Sequence, residues 1–166
     1  MNFAELRELQ TDRLTLRRLS FDDLYDYYER LGSDGEVSKY MLFEPHQDIG
    51  ETLALIEEAL VRYEEENFYR WGIENEDGLI GVIELLRFDE EAESCSFAYM
   101  IGENFWGKGY GTEALRAALD FAFAKIRVRV EDRKLAKLQE NVIFQDIPVK
   151  RMDDLILVLP GRKISD

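Results

Sequence analysis

The sequence predicts a mixed α/β domain whose elements run β-α-α-β-β-β-α, followed by a divergent C-terminal β-α-β part. Three observations carry this. Leu14-Thr15-Leu16-Arg17-Arg18-Leu19 alternates with the period of a half-buried strand. Two segments, about 20–31 and 49–66, repeat apolar residues at helical spacing. Ser96-Phe97-Ala98-Tyr99-Met100-Ile101 reads as a strand that runs through a glycine-rich bend into a helix. A chain of 166 residues is expected to form one domain over 1–166, long enough to bury a core without disulfide staples.

After the first strand, Ser20 reads as an N-cap, with Asp22 and Asp23 in the first turn of a helix to about Leu31. Leu24, Tyr27, Tyr28 and Leu31 form its apolar stripe. Gly32-Ser33-Asp34-Gly35 is a turn, followed by a short helix over about Glu36 to Met41 and an irregular Leu42 to His46. A longer helix runs from about Ile49 to Glu66 with Leu53, Ile56, Leu60 and Tyr63 on one face. Phe68 to Glu74 and Leu79 to Leu86 form a hairpin about Asn75-Glu76-Asp77-Gly78. A four-residue loop there sets Tyr69 opposite Glu84 and Trp71 opposite Val82. A polar connection, Phe88 to Ser94, leads into the strand Cys95 to Ile101. The last well-marked helix spans about Gly109 to Phe123.

Beyond Phe123 two readings stand. Ile126 to Val130 forms a strand, Glu131 to Asn141 a helix and Leu155 to Leu159 a final strand. Alternatively one helix continues from Gly109 to Asn141, since Leu115, Leu119, Ala122, Ile126, Val130 and Leu138 nearly keep its period. A protruding helix of that length would invite exchange of the C-terminal part between two copies.

The segment Trp106-Gly107-Lys108-Gly109-Tyr110-Gly111-Thr112 carries the chemistry. Glycines at alternate positions allow positive φ and close backbone approach. The helix that follows points its N–H groups and the positive end of its dipole at whatever lies in the bend, which suits a pyrophosphate. The spacing matches neither a nucleoside-triphosphate P-loop nor a Gly-x-Gly-x-x-Gly dinucleotide turn. It resembles the coenzyme A loop, Gln/Arg-x-x-Gly-x-Gly/Ala, of the GNAT acetyltransferases, with Trp106 in the Gln/Arg position. The wording through Ala114 is similar to that of the ribosomal-protein N-terminal acetyltransferases (the Rim-type branch). Thr11-Asp12-Arg13-Leu14-Thr15-Leu16-Arg17 is likewise similar to that branch's opening strand. The resemblance covers roughly Leu9 to Phe123 and fades thereafter, where Asp132, Leu135 and Ile143 depart from the family pattern.

This resemblance implies a twisted, mostly antiparallel sheet with helices on both faces, and acetyl-CoA as cosubstrate. The backbone of Phe97 to Ile101, with Met100 among them, would hold the pantetheine arm. Trp106, Gly107, Lys108, Gly109, Tyr110, Gly111 and Thr112 would take the diphosphate, with Arg116 as a further local cation. Direct transfer to a primary amine in a ternary complex needs a fixed thioester, a polarised carbonyl and an amine that loses its proton. Many relatives carry a Glu where Ser96 stands, so Glu84 is the candidate base, with Ser96 serving through water. Tyr99 is the candidate acid for the leaving thiolate. Asp34, Tyr40, Phe43, Glu44 and Trp71 would line an acceptor pocket, with His46 nearby. The alternative is a non-catalytic acyl-CoA-binding or interaction module on the same fold.

Composition sets outer bounds. Twenty-one Lys and Arg against 35 Asp and Glu, net −14, argue against nucleic acid as a ligand. An acidic protein suits a basic acceptor, either a small amine or a protein N-terminus. The imbalance is uneven: residues 1–123 carry net −17 and residues 124–166 net +3. A lone Cys95 excludes a disulfide framework, and a single histidine, His46, excludes a His-rich metal site, so no metal is expected. No apolar run reaches membrane-span length, and a cytoplasmic location with no membrane partner is the expectation.

Overall fold

The computed structural model describes residues 3–39, 41, 43–89, 94–126 and 156–157. Six strands form one antiparallel sheet in chain order: β1 (Leu9–Gln10), β2 (Thr15–Arg17), β3 (Tyr69–Asn75), β4 (Gly78–Asp89), β5 (Ser94–Ile101) and β6 (Ile156–Leu157). Between β2 and β3 lie α1 (Leu24–Tyr27), entered by a 3-10 turn and continued by a π turn over Tyr28–Gly32, then α2 (Gly35–Ser38) and α3 (Ile49–Arg62). After β5 a 3-10 turn, Glu103–Phe105, leads to α4 (Tyr110–Lys125). The expected mostly antiparallel sheet flanked by helices is therefore present.

Local chemistry explains the helix starts. The Ser20 N–H donates to Asp23 Oδ2 at 2.8 Å at the head of the first helical turn. Asp34 caps α2, accepting from Glu36 N at 2.8 Å and Val37 N at 3.4 Å, and Asp48 caps α3 by accepting from Gly50 N at 2.8 Å. Four helical residues form α2, shorter than the span to Met41 read from sequence. The third helix closes at Arg62 rather than Glu66, and its buried side chains are Thr52, Ile56 and Ala59, with Tyr63 just beyond. Leu53 is only half-buried, at the edge of that stripe.

The hairpin register differs from the sequence expectation by one residue beyond a bulge. Asn75 pairs with Gly78 and Glu74 with Leu79, as a loop centred on Glu76-Asp77 requires. Ile73 then pairs with Gly81, so Ile80 is the extra residue, and every later pair shifts. Tyr69 stands opposite Leu85, Arg70 opposite Glu84, and Trp71 opposite Ile83.

That shift decides what each face of the sheet contains. Tyr69 and Trp71 point toward α4, where Phe121 packs on both rings at 5.6 and 5.4 Å between centroids. Arg70, Gly72 and Glu84 face the other layer, where the buried Tyr27 phenol of α1 lies near both charges. A Cβ added at Gly72 would meet Leu79 at 2.8 Å and Leu19 at 3.0 Å, so glycine permits the close packing of that layer.

The fourth helix ends at Lys125, and Ile126 leaves helical geometry at φ −82 and ψ 3. This excludes an uninterrupted helix from Gly109 to Asn141. Of the C-terminal expectations, Ile156–Leu157 falls within the final strand, paired antiparallel with Ser96 and Cys95. The strand over 126–130, beyond its first residue, and the helix over 131–141 lie outside the described residues.

Candidate functional site

The bend after β5 is built by its own residues. Gly102 N donates to Ile80 O at 2.9 Å, which ties the strand exit to β4. The Trp106 indole Nε1 donates back to Ile101 O at 2.6 Å, and Trp106 N to Glu103 O at 3.1 Å. The Trp106 main-chain donor is thus already engaged, which removes it from the set of amides expected to bind a ligand. Gly107 and Gly109 have φ of +72° and +79°, the left-handed region that favours glycine. The N–H groups of residues 107 to 111 donate to no described residue, whereas Glu113 N begins the helical ladder by donating to Gly109 O at 3.0 Å. Among the described residues these five donors have no acceptor, and they lie in succession at the head of a 16-residue helix.

Gly111 has a separate reason to be glycine. Its backbone is helical, but an added Cβ would lie 2.8 Å from Cε2 of Tyr99. The Tyr99 ring therefore braces the underside of the first turn of α4. The Lys108 side chain folds back, its Nζ donating to Asn104 O at 3.2 Å and lying 5.5 Å from the centroid of the Phe105 ring. Arg116 is exposed on α4, about 9 Å along the axis from Tyr110. The side chains of Phe97, Met100 and Ile101 are buried, so β5 can offer a ligand its main chain rather than those side chains.

Sequence reasoning did not foresee what holds the bend in place. Glu113, in the first turn of α4, accepts from Thr11 Oγ1 at 2.6 Å and Arg13 N at 2.9 Å through Oε1, and from Arg13 Nε at 2.7 Å through Oε2. Arg13 Nη1 donates to Lys108 O at 2.8 Å, and the guanidinium lies 4.6 Å over the Tyr110 ring. Partial burial alone would raise the Glu113 carboxyl's pKa, but the bonds from Thr11 and from the Arg13 backbone and side chain together hold it below the ordinary value. The opening motif and the glycine bend, about a hundred residues apart, are therefore one structural unit. Their opposite charges were visible in the sequence, but no spacing rule connects them.

Glu84 lies opposite Ala98, and Leu86 opposite Ser96, so Glu84 and Ser96 stand two register positions apart on paired strands. Arg70 grips Glu84 Oε2 through Nη2 at 3.0 Å and Nε at 3.2 Å, while Oε1 accepts from no described residue. Arg70, itself set over the Phe68 ring, was not foreseen, because the bulge at Ile80 brings it opposite Glu84. Tyr99 belongs to the opposite face, against α4. The three catalytic candidates thus do not converge, since Tyr99 is separated from Glu84 by the sheet.

The acceptor candidates separate too. Phe43 and Glu44 line a cleft of about 590 Å³ together with Gly35, Ser38, Lys39 and Met41. The Asp34 carboxylate is engaged in capping α2 beside that cleft. Trp71 is not part of it: the side chain is fully buried on the α4 side of the sheet, with Nε1 donating to Arg7 O at 2.7 Å. Alternation along β3 sends it there. Tyr40 lies outside the described residues. His46 Nδ1 lies 2.7 Å from Thr52 Oγ1, and the His46 backbone N–H donates to Gly32 O at 2.8 Å. Among the described residues no cluster of three metal-ligating side chains occurs, and no helix is long and apolar enough to cross a membrane.

Comparison with known proteins agrees with the fold. The profile described as an acetyltransferase (GNAT) domain matches residues 13–141. An uncharacterized N-acetyltransferase, p20, of Bacillus licheniformis is 29% identical over 149 residues, covering 84% of this chain and 83% of its own. The crystal structure of spermidine N-acetyltransferase from Vibrio cholerae, in complex with CoA and spermine, superposes with TM-score 0.58 at 26% identity over 78% of this chain and 79% of that one. RimL, a ribosomal L7/L12 α-N-protein acetyltransferase in complex with coenzyme A, shares the fold alone. Its TM-score is 0.61 at 14% identity, covering 70% of this chain and 67% of its own.

Proposed function

The chain belongs to the GNAT acetyltransferases and transfers an acetyl group from acetyl-CoA to an amine; on that premise we propose that residues 107–111 hold the cosubstrate's diphosphate and that the acceptor is a cationic primary amine. The observation that carries this assignment is the run of five N–H groups, without an acceptor among the described residues and opened by positive-φ glycines, at the head of α4. Among the described residues the outer edge of β5 is paired at Cys95 and Ser96, which leaves the stretch 97–101 as the length along which an extended arm adds like a strand. Bound there, acetyl-CoA supplies an activated acyl carbon. The chain's own work is to fix it, exclude competing water and relieve the amine of its proton.

Glu84 is the proton acceptor in this reading. Arg70 fixes its orientation through Oε2 and leaves Oε1 for the amine or a bridging water beside Ser96. Tyr99, wedged under Gly111, has a packing role. The Phe43–Glu44 cleft combines a carboxylate with an aromatic ring, which suits a cationic amine, and the spermine-bound relative has a polycationic ligand. The wording shared with the Rim-type branch points instead to a protein α-amine, so the acceptor series must contain both.

Titration calorimetry with coenzyme A, followed by thiol release from acetyl-CoA in the presence of spermidine, spermine and short α-amino peptides, tests the proposal. Saturable coenzyme A binding and turnover on at least one amine are expected, with Glu84→Gln lowering kcat about a hundredfold or more while the Kd for coenzyme A is kept. Binding without turnover on any amine would leave a non-catalytic acyl-CoA module. No coenzyme A binding would overturn the assignment.

A further inference from the structure

A carboxylate in the first turn of a helix stabilises the helix but repels an anion bound at the same end. Glu113 occupies that position in α4, one turn from the donors at 107–111. The Arg13 guanidinium lies against it, with Nη2 2.7 Å and Nε 2.7 Å from Oε2. Its remaining terminal nitrogen, Nη1, holds the Lys108 carbonyl at 2.8 Å. In a planar trans peptide the carbonyl and the following N–H point in opposite directions, so drawing Lys108 O toward Arg13 turns the Gly109 N–H away from it. Arg13 is nearly half exposed, and an exposed ion pair of this kind contributes little to folding stability on its own. Its placement makes more sense in terms of the ligand.

We infer that Arg13 is a positioning residue for the anionic cosubstrate: it cancels the Glu113 charge beside the diphosphate. The inference rests on the assignment of the 107–111 bend to coenzyme A. It makes Glu113 harmful to binding once Arg13 is lost, which a purely structural clamp would not do.

Coenzyme A affinity is measured by calorimetry on the full chain for wild type, Arg13→Gln, Glu113→Gln and the double variant, with KM for acetyl-CoA and for the amine alongside. Arg13→Gln is expected to weaken coenzyme A at least tenfold and to raise KM for acetyl-CoA, with KM for the amine unchanged. Glu113→Gln alone should change affinity less than threefold, and the double variant should return to within about threefold of wild type. Arg13→Lys keeps the charge and should retain most of the affinity, which guards against a folding defect in Arg13→Gln. A double variant as weak as Arg13→Gln, or an Arg13→Gln variant that binds like wild type, overturns the inference. Wild type failing to bind coenzyme A sinks the loop assignment itself, a result distinguishable from both.

Discussion

Gly109 and Gly111 lie two residues apart in one bend, yet replacing each with alanine should fail for different reasons. At Gly109 the backbone has φ +79 and ψ 5, where an L-residue costs about 1–2 kcal/mol. The reduced freedom of the unfolded chain returns roughly 0.4–1 kcal/mol, leaving a net loss of about 1 kcal/mol. At Gly111 the backbone is helical, so alanine should gain roughly 1 kcal/mol from propensity. Against that, its Cβ would sit 2.8 Å from a Tyr99 ring carbon, an overlap whose relief costs about 1–3 kcal/mol in a packed interior. Each single variant should therefore lower Tm by a few degrees, at about 2–4 °C per kcal/mol for a chain of this size. A double-mutant cycle by thermal denaturation separates them. In a Tyr99→Leu background, Gly111→Ala should become neutral or stabilising, whereas Gly109→Ala should keep its full cost. If Gly111→Ala costs the same with and without the Tyr99 ring, the contact is not the reason for glycine there.

Further outcomes follow from the same geometry. Trp71→Phe removes the bond to Arg7 O and leaves space against Phe121, so stability should fall by about 1–3 kcal/mol while KM for the amine stays within twofold; a large KM effect would return Trp71 to the acceptor site. The Glu113 carboxyl has a folded pKa below its ordinary 4.5, so its contribution is present above that value and is lost as pH falls through the folded pKa. The stability gap between wild type and Glu113→Gln, measured by urea titration, should be flat from neutral pH down to about 5 and shrink below about 4.5. Burial pushes the Cys95 thiol up to about 11, and its side chain is 2% exposed, so a disulfide-exchange reagent at pH 8 should react slowly with the folded protein and rapidly in denaturant. Rapid reaction in the folded state would place Cys95 nearer the surface.

Much of the fold was legible because its determinants are local. Ser20, Asp34 and Asp48 mark helix starts through their own side chains or nearest amides. The turn at Asn75–Gly78 was read where it lies, with Gly78 at φ +98. The bulge at Ile80 was not legible, because an extra residue in one strand is defined only by the partner it fails to pair with. That single residue moved Arg70 opposite Glu84. Alternation along β3 puts Trp71 in the α4 layer, where residue type alone could not place it.

The bend at 107–111 is the part of the candidate site that the sequence determined by itself. Positive φ and helix-end donors are properties of a short segment, and glycine spacing encodes them directly. What tertiary structure alone decided is the charge environment of that bend and the membership of each sheet face. Thr11 and Arg13 reach Glu113 across about a hundred residues, and Glu84 meets Arg70 across a shifted register. Ion pairs and face assignments depend on distances in space, and in this chain those distances are set by strand order, register and the packing of α4.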